Sequence, residues 1–107
     1  MPTVRETFHA MPSRFRADRA QGLNAVFQYE ITGEDGGRWY ATVKDGACAV
    51  TEGEAPNPNL TITMAASDWL DLAANKLNPQ MAFMSGKLKV KGDMSLAIKL
   101  GSLFAPG

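Results

Sequence analysis

The hydrophobic pattern of this chain changes period several times, and the changes mark its elements. Val4, Phe8, Met11 and Phe15 recur at steps of three and four, which predicts an amphipathic helix. Pro12 removes an intrahelical donor and disfavours helix at Met11, so two short helices are expected, roughly 3–10 and 12–17, meeting at the proline. From Leu23 the period becomes two. Leu23, Ala25, Phe27, Tyr29 and Ile31 share one face; Asn24, Gln28, Glu30 and Thr32 share the other, the pattern of a half-buried strand. Trp39, Ala41 and Val43 alternate through a return strand over Arg38–Lys44. Asp45-Gly46 is a strong two-residue hairpin signal leading into a third strand over Ala47–Thr51. Pro56 and Pro58 make Gly53–Asn59 a crossing loop. Leu60, Ile62 and Met64 then alternate through a fourth strand.

The second half is helical with one interruption. Ser67 is the expected N-cap of a helix whose apolar side carries Trp69, Leu70, Leu72, Ala73 and Leu77, with Asp68 and Asp71 near its positive end. Asn78-Pro79 starts another helix, which Gly86 closes. Lys87–Lys91 is a fifth strand, and Gly92-Asp93 caps a last helix. That helix is apolar nearly all round: Met94, Leu96, Ala97, Ile98, Leu100, Leu103 and Phe104 are interrupted only by Ser95, Lys99, Gly101 and Ser102. A surface helix needs one apolar stripe, so this one must satisfy two neighbours. The sheet is one. The surplus apolar surface of the three late helices either closes a dimer or lines a cavity.

Composition narrows the function classes. A chain of 107 residues, 45% hydrophobic and 21% charged, is expected to form one globular domain over 1–107. Eleven basic and eleven acidic side chains cancel, which leaves no long-range field for nucleic acid or an anionic membrane. No apolar run reaches the ~18–20 residues of a membrane span, and the N-terminus lacks the apolar core of a signal peptide. The single cysteine, Cys48, excludes an internal disulfide, and the terminal Ala105-Pro106-Gly107 is not a Ser-Lys-Leu peroxisomal address. A cytoplasmic protein is expected.

Catalytic constellations are missing. His9 is the only histidine and has no glycine-framed serine near it in sequence; Cys48 reads as a small core hydrophobe. No phosphate loop, dinucleotide fingerprint or metal-ligand pair is present, so neither a cofactor nor a metal is expected. Lys87, Lys89 and Lys91 form a basic stripe on one strand face. They are either contacts for lipid phosphates or an acyl-CoA head group, or the solvated lysines that protect a sheet edge, which is the preferred reading.

The run Gly86-Lys87-Leu88-Lys89-Val90-Lys91-Gly92-Asp93-Met94, preceded by Asn78-Pro79-Gln80 and followed by Leu96-Ala97-Ile98-Lys99-Leu100, closely resembles the sterol carrier protein-2 family. Met11-Pro12-Ser13-Arg14-Phe15, Gly36-Gly37-Arg38-Trp39-Tyr40 and the Ser67–Leu70 helix start extend the match over almost the whole chain. The resemblance implies an α+β fold: a five-stranded mixed, mainly antiparallel sheet, helices packed on one face, and a hydrophobic tunnel between the sheet and the C-terminal helices. It implies binding and transfer of fatty acid, fatty acyl-CoA, phospholipid or sterol without catalysis. By position the tunnel would be walled by Phe27, Leu72, Leu77, Met81, Met84, Leu96, Leu100, Leu103 and Phe104, with Gln80 as a polar contact inside it. The chain is similar to the short free-standing bacterial form. Besides a lipid ligand and transient membrane contact, two other roles fit: an accessory subunit presenting a lipid to a partner enzyme of lipid metabolism, and a homodimerisation module.

Overall fold

The computed structural model describes residues 3–103. Helix α1 spans Val4–Arg14, followed by a 3-10 turn at Ala17–Arg19. Strands β1 (Ala25–Thr32), β2 (Gly37–Lys44) and β3 (Ala47–Glu52) form an antiparallel meander. The chain then crosses to β4 (Leu60–Ala65), which lies parallel to β1, and runs through α2 (Ala66–Ala73) and α3 (Pro79–Met84). It closes with β5 (Leu88–Gly92), antiparallel to β4, and α4 (Met94–Leu103). The sheet order is β3-β2-β1-β4-β5, one mixed sheet of five strands with a single parallel pair. No helix among the described residues is long and apolar enough to cross a membrane.

The period-two faces of the central strands become inside and outside as expected. Phe27, Tyr29, Ala41, Val43, Leu60 and Ile62 are buried beneath the helices. Phe8 of α1 anchors that side by stacking between two indoles, at 4.7 Å from Trp69 and 5.1 Å from Trp39. Asp45 and Gly46 take φ of 53° and 76°, the doubly positive turn that joins β2 to β3. The lysines of β5 stand exposed on an edge strand, where they oppose further strand pairing.

Three sequence expectations fail for physical reasons. Pro12 does not split the first helix: α1 runs through it and ends two residues later at Arg14. The lost donor costs little so near the C-terminus, and a continuous helix keeps both Phe8 and Met11 buried. Ser67 is not the cap of α2. Strand β4 passes directly into the helix, whose N-cap is Ala65, without a capping side chain. Gln28 lies on the outer face but is buried, because the loop after β3 folds over it. Its amide donates to the carbonyls of Trp39 (2.9 Å) and Gly53 (3.1 Å) and accepts from the Ala55 N–H (2.7 Å), satisfying the backbone of the crossing loop.

The other caps follow the sequence. Asn78 Oδ1 accepts from the Gln80 and Met81 amides at the start of α3, and Asp93 Oδ1 accepts from the Ser95 amide (2.9 Å) and hydroxyl (2.6 Å) at the start of α4. These bonds to Ser95 hold the Asp93 carboxyl below the usual carboxylate range.

Candidate functional site: an apolar cavity under the helices

Between the β1-β4-β5 half of the sheet and the helices lies a cavity of about 820 Å³. That falls within the roughly 300–1,000 Å³ of small-molecule sites. Its floor is Leu60 and Ile62 of β4 and Leu88 and Val90 of β5, alternate residues that the pleat turns to one side. Trp69 and Leu72 of α2, Leu77 of the following turn and Leu100 of α4 form apolar walls. Polar groups enter from the ends of elements: Arg14, Arg16, Asn75 and Gln80. Arg16 lies 3.8 Å from Asp18 across an exposed pair, while Arg14, a half-buried residue, has no ion pair among the described residues. The Arg16 amide donates to the Leu103 carbonyl at 2.7 Å, so the arginine segment is tied to the end of α4.

Two polar groups are buried at the wall. Trp69 Nε1 donates to Thr7 Oγ1 at 2.7 Å and is satisfied. The Tyr29 hydroxyl, on a residue that lines the cavity, has no hydrogen-bond partner among the described residues. Burial pushes its ionisation far above the ordinary tyrosine range, and the Cys48 thiol adds to the shift. Cys48 itself is half-buried against the core and is pushed up to about 11 by burial. Among the described residues no cluster of three or more His, Cys, Asp or Glu side chains could hold a metal ion. His9 is exposed and stands edge-on to Trp39.

The residues expected to wall a tunnel divide into groups. Leu72, Leu77, Gln80 and Leu100 meet around the cavity. Phe27 and Leu103 are fully buried in the core, and Leu96 packs partly buried against it; none of the three lines the cavity. Met81 and Met84 are displaced from the expected wall: they are 66% and 79% exposed on the outside of α3. Phe104 lies outside the described residues. The cause of the methionine misplacement is helical phase. In a one-and-a-half-turn helix, 80 and 83 share one stripe and 81 and 84 the next, and both stripes contain apolar residues. Ala82 turns to the core, Gln80 and Phe83 line the cavity, and the methionines face out. Tyr29 and Ile62 could have been found from strand alternation, since both belong to the buried register of neighbouring strands.

A one-sided mixed sheet with an apolar cavity beneath its helices defines a small α+β binding fold. The chain belongs to the SCP-2 sterol transfer family, whose family model matches residues 8–105. It is 41% identical over 101 residues to hydroxysteroid dehydrogenase-like protein 2 of Bos taurus, covering 94% of this chain but only 24% of that protein. The chain thus spans about a quarter of the length of such relatives. Among solved structures it is similar to palmitated SCP2L2 of Aedes aegypti (TM-score 0.78, 27% identity, covering 94% of this chain and 93% of that one). It is also similar to sterol carrier protein domain 2 of Helicoverpa armigera (TM-score 0.69, 32% identity, covering 80% and 70%).

Proposed function

We propose that this domain is a non-catalytic carrier that binds a single-chain lipid, a fatty acid or its acyl-CoA, with the hydrocarbon in the cavity and the acidic end toward Arg14 and Arg16. The observation that carries the reading is the pairing of an apolar cavity of about 820 Å³ with guanidinium groups at its border. Each methylene buried contributes about 0.8 kcal/mol, so ten contribute roughly 8 kcal/mol, near micromolar affinity before ordering costs. The palmitated form of the Aedes aegypti relative supports an acyl chain over a sterol. The half-buried free thiol fits a reducing compartment, the cytoplasm. The test is native mass spectrometry after gentle purification, followed by solvent extraction of what is bound. An acyl species at one per chain is expected. A bare protein mass that added fatty acid and acyl-CoA leave unchanged, with no gain in thermal stability, would end the proposal.

A second reading makes the domain a presenter of lipid to an enzyme. It is supported by relatives in which the matching region is about a quarter of a longer, dehydrogenase-like protein. Recovery of a stoichiometric enzyme in a pull-down would favour it over free transfer.

A further inference from the structure

We infer that the free edge of β3 is the docking strand for a second copy of this chain, the two β3 strands pairing antiparallel about a two-fold axis at Ala49. This surface is independent of the lipid-carrier reading, because no residue of β3 lines the cavity.

The two edges of the sheet are built differently. On β5, the exposed Lys89 and Lys91 oppose a further strand. On β3, the run Ala47-Cys48-Ala49-Val50-Thr51 holds no lysine, acid, proline or glycine. It pairs one-for-one with β2, from Ala47 with Lys44 to Glu52 with Trp39, so no bulge twists the edge away. Such a flat, neutral edge lacks the usual devices against strand pairing.

The ladder phase shows which groups are free. The Asp45-Gly46 hairpin closes on a hydrogen-bonded pair, Lys44 with Ala47, and the Gly53 N–H donates to the Arg38 carbonyl at 2.8 Å. Ala47, Ala49 and Thr51 therefore bond toward β2, while the N–H and C=O of Cys48, Val50 and Glu52 point away from the sheet. These outward groups have no partner among the described residues. A second β3 turned about Ala49 sets Cys48 of each copy opposite Val50 of the other, in two pairs that share about four main-chain hydrogen bonds. The side chains agree with that register. Cys48 and Val50 pack half-buried on the inner face, where the second copy would cover their open sides; Ala47, Ala49 and Thr51 are small and exposed on the outer face.

Charge selects the occupant. The acids beyond the strand are held by arginines, Glu52 by Arg5 at 3.0 Å and Glu54 by Arg38 at 3.2 Å, and Lys44 and Asp45 offset each other at the hairpin. A charged peptide finds no counter-charge on this edge, whereas a second β3 meets it neutral against neutral. Antiparallel pairing also sets the hairpin end of each copy beside the Glu52–Glu54 end of the other, which keeps the acids of the two copies apart. A second β3 is already extended and ordered, so it avoids the entropy that a disordered segment loses on strand addition. Pairing one short strand buries little area, and the dimer is accordingly weak and reversible. It leaves both cavities free at the far half of each sheet.

The experiment is sedimentation equilibrium of the full chain up to roughly 1 mM, where a monomer–dimer equilibrium is expected. Ala49→Lys should weaken association at least about tenfold, because two lysines would face each other across the axis, and Ala49→Asp should do the same. Position 49 is exposed, so circular dichroism should show both variants folded. An equimolar mixture of the two should associate again, since the facing charges are then opposite. Met81→Ser with Met84→Ser, on the exposed side of α3, should associate as the wild type does. In a Cys48→Ala background, Ala49→Cys should oxidise to a covalent dimer at least about tenfold faster than Ala47→Cys or Thr51→Cys. Only position 49 meets its own copy, at a Cα separation of about 4.5 Å that a disulfide can span. A monomer throughout the range, undiminished association of the charged variants, a mixture that stays monomeric, a dimer that the methionine variant dissociates, or equal cross-linking at all three positions would each overturn the inference.

Discussion

Trp69 and Thr7 couple the two helices that roof the cavity. The indole Nε1 donates to Thr7 Oγ1 at 2.7 Å, and the same hydroxyl donates to the Val4 carbonyl at 2.6 Å. Both side chains are buried and both line the cavity. Thr7→Val keeps the shape and strands the indole N–H, a loss of about 1–3 kcal/mol. Thermal unfolding should register it as a fall of roughly 4–8 °C in Tm per kcal/mol, and Thr7→Ser should recover most of the loss. An unchanged Tm for Thr7→Val would mean that water replaces the hydroxyl and that α1 and α2 are held by the Phe8 stack alone.

Tyr29 presents the opposite case. Its hydroxyl is buried and has no partner among the described residues, so removing it relieves a desolvation cost. Tyr29→Phe is expected to stabilise the lipid-free protein by about 1 kcal/mol in urea unfolding. A loss of stability would reveal an ordered water on the hydroxyl.

Cys48 sets an alkaline limit. Burial raises its ionisation from an ordinary 9.0 to about 11, so the unfolded chain releases this proton first as pH rises. The contribution to stability is complete below pH 9 and is lost as pH climbs through about 11, with Tyr29 acting in the same direction at still higher pH. At pH 8 the thiolate fraction is about one in a thousand, so alkylation by iodoacetamide should be far slower than for a free thiol. A rate equal to that of a small thiol would place Cys48 in solvent.

Gly92 is where β5 turns into α4, and its φ of +120° is a conformation that side chains avoid. A Cβ there would sit 2.5 Å from the Asn59 carbonyl oxygen, backbone that cannot step aside. Asn59 is itself pinned, its side chain accepting from Val26 N–H at 2.8 Å and its carbonyl from Asp93 N–H at 3.1 Å. Gly92→Ala should therefore detach β5 and α4 from the sheet, seen as lost amide-exchange protection in 88–103 with β1 and β2 still protected. Full protection throughout would show that the turn can relax.

The strands were the legible part of this chain because one side of the sheet is covered and the other is not. Burial then alternates with the pleat, and Phe27, Tyr29 and Ile31 declare the inner face directly. Gln28 defeats that logic because its burial comes from a loop distant in sequence, a tertiary cause that local pattern does not carry. Helix phase was the weak point at the site. Leu72, Leu77, Gln80 and Leu100 line the cavity, whereas on α3 the stripe of Met81 and Met84, as apolar as Phe83, faces outward. Pro12 and Ser67 were read by local rules that a continuous core contact and a direct strand-to-helix junction overrode.

Leu100 and Phe27 separate cavity from core. Leu100 lines the cavity and is half-buried, whereas Phe27 is fully buried and does not reach it. Leu100→Glu places a carboxylate that stays hydrated while the cavity is empty and must be desolvated when a hydrocarbon enters. Uptake of a fluorescent fatty acid should fall at least about a hundredfold, given the several kcal/mol that an unpaired charge costs on burial, while the circular dichroism of the sheet is retained. Phe27→Ala should instead cost about 3–5 kcal/mol of stability, a core deletion, with ligand affinity per folded molecule close to the wild type. Normal uptake by a folded Leu100→Glu protein would put the acyl chain somewhere other than this cavity.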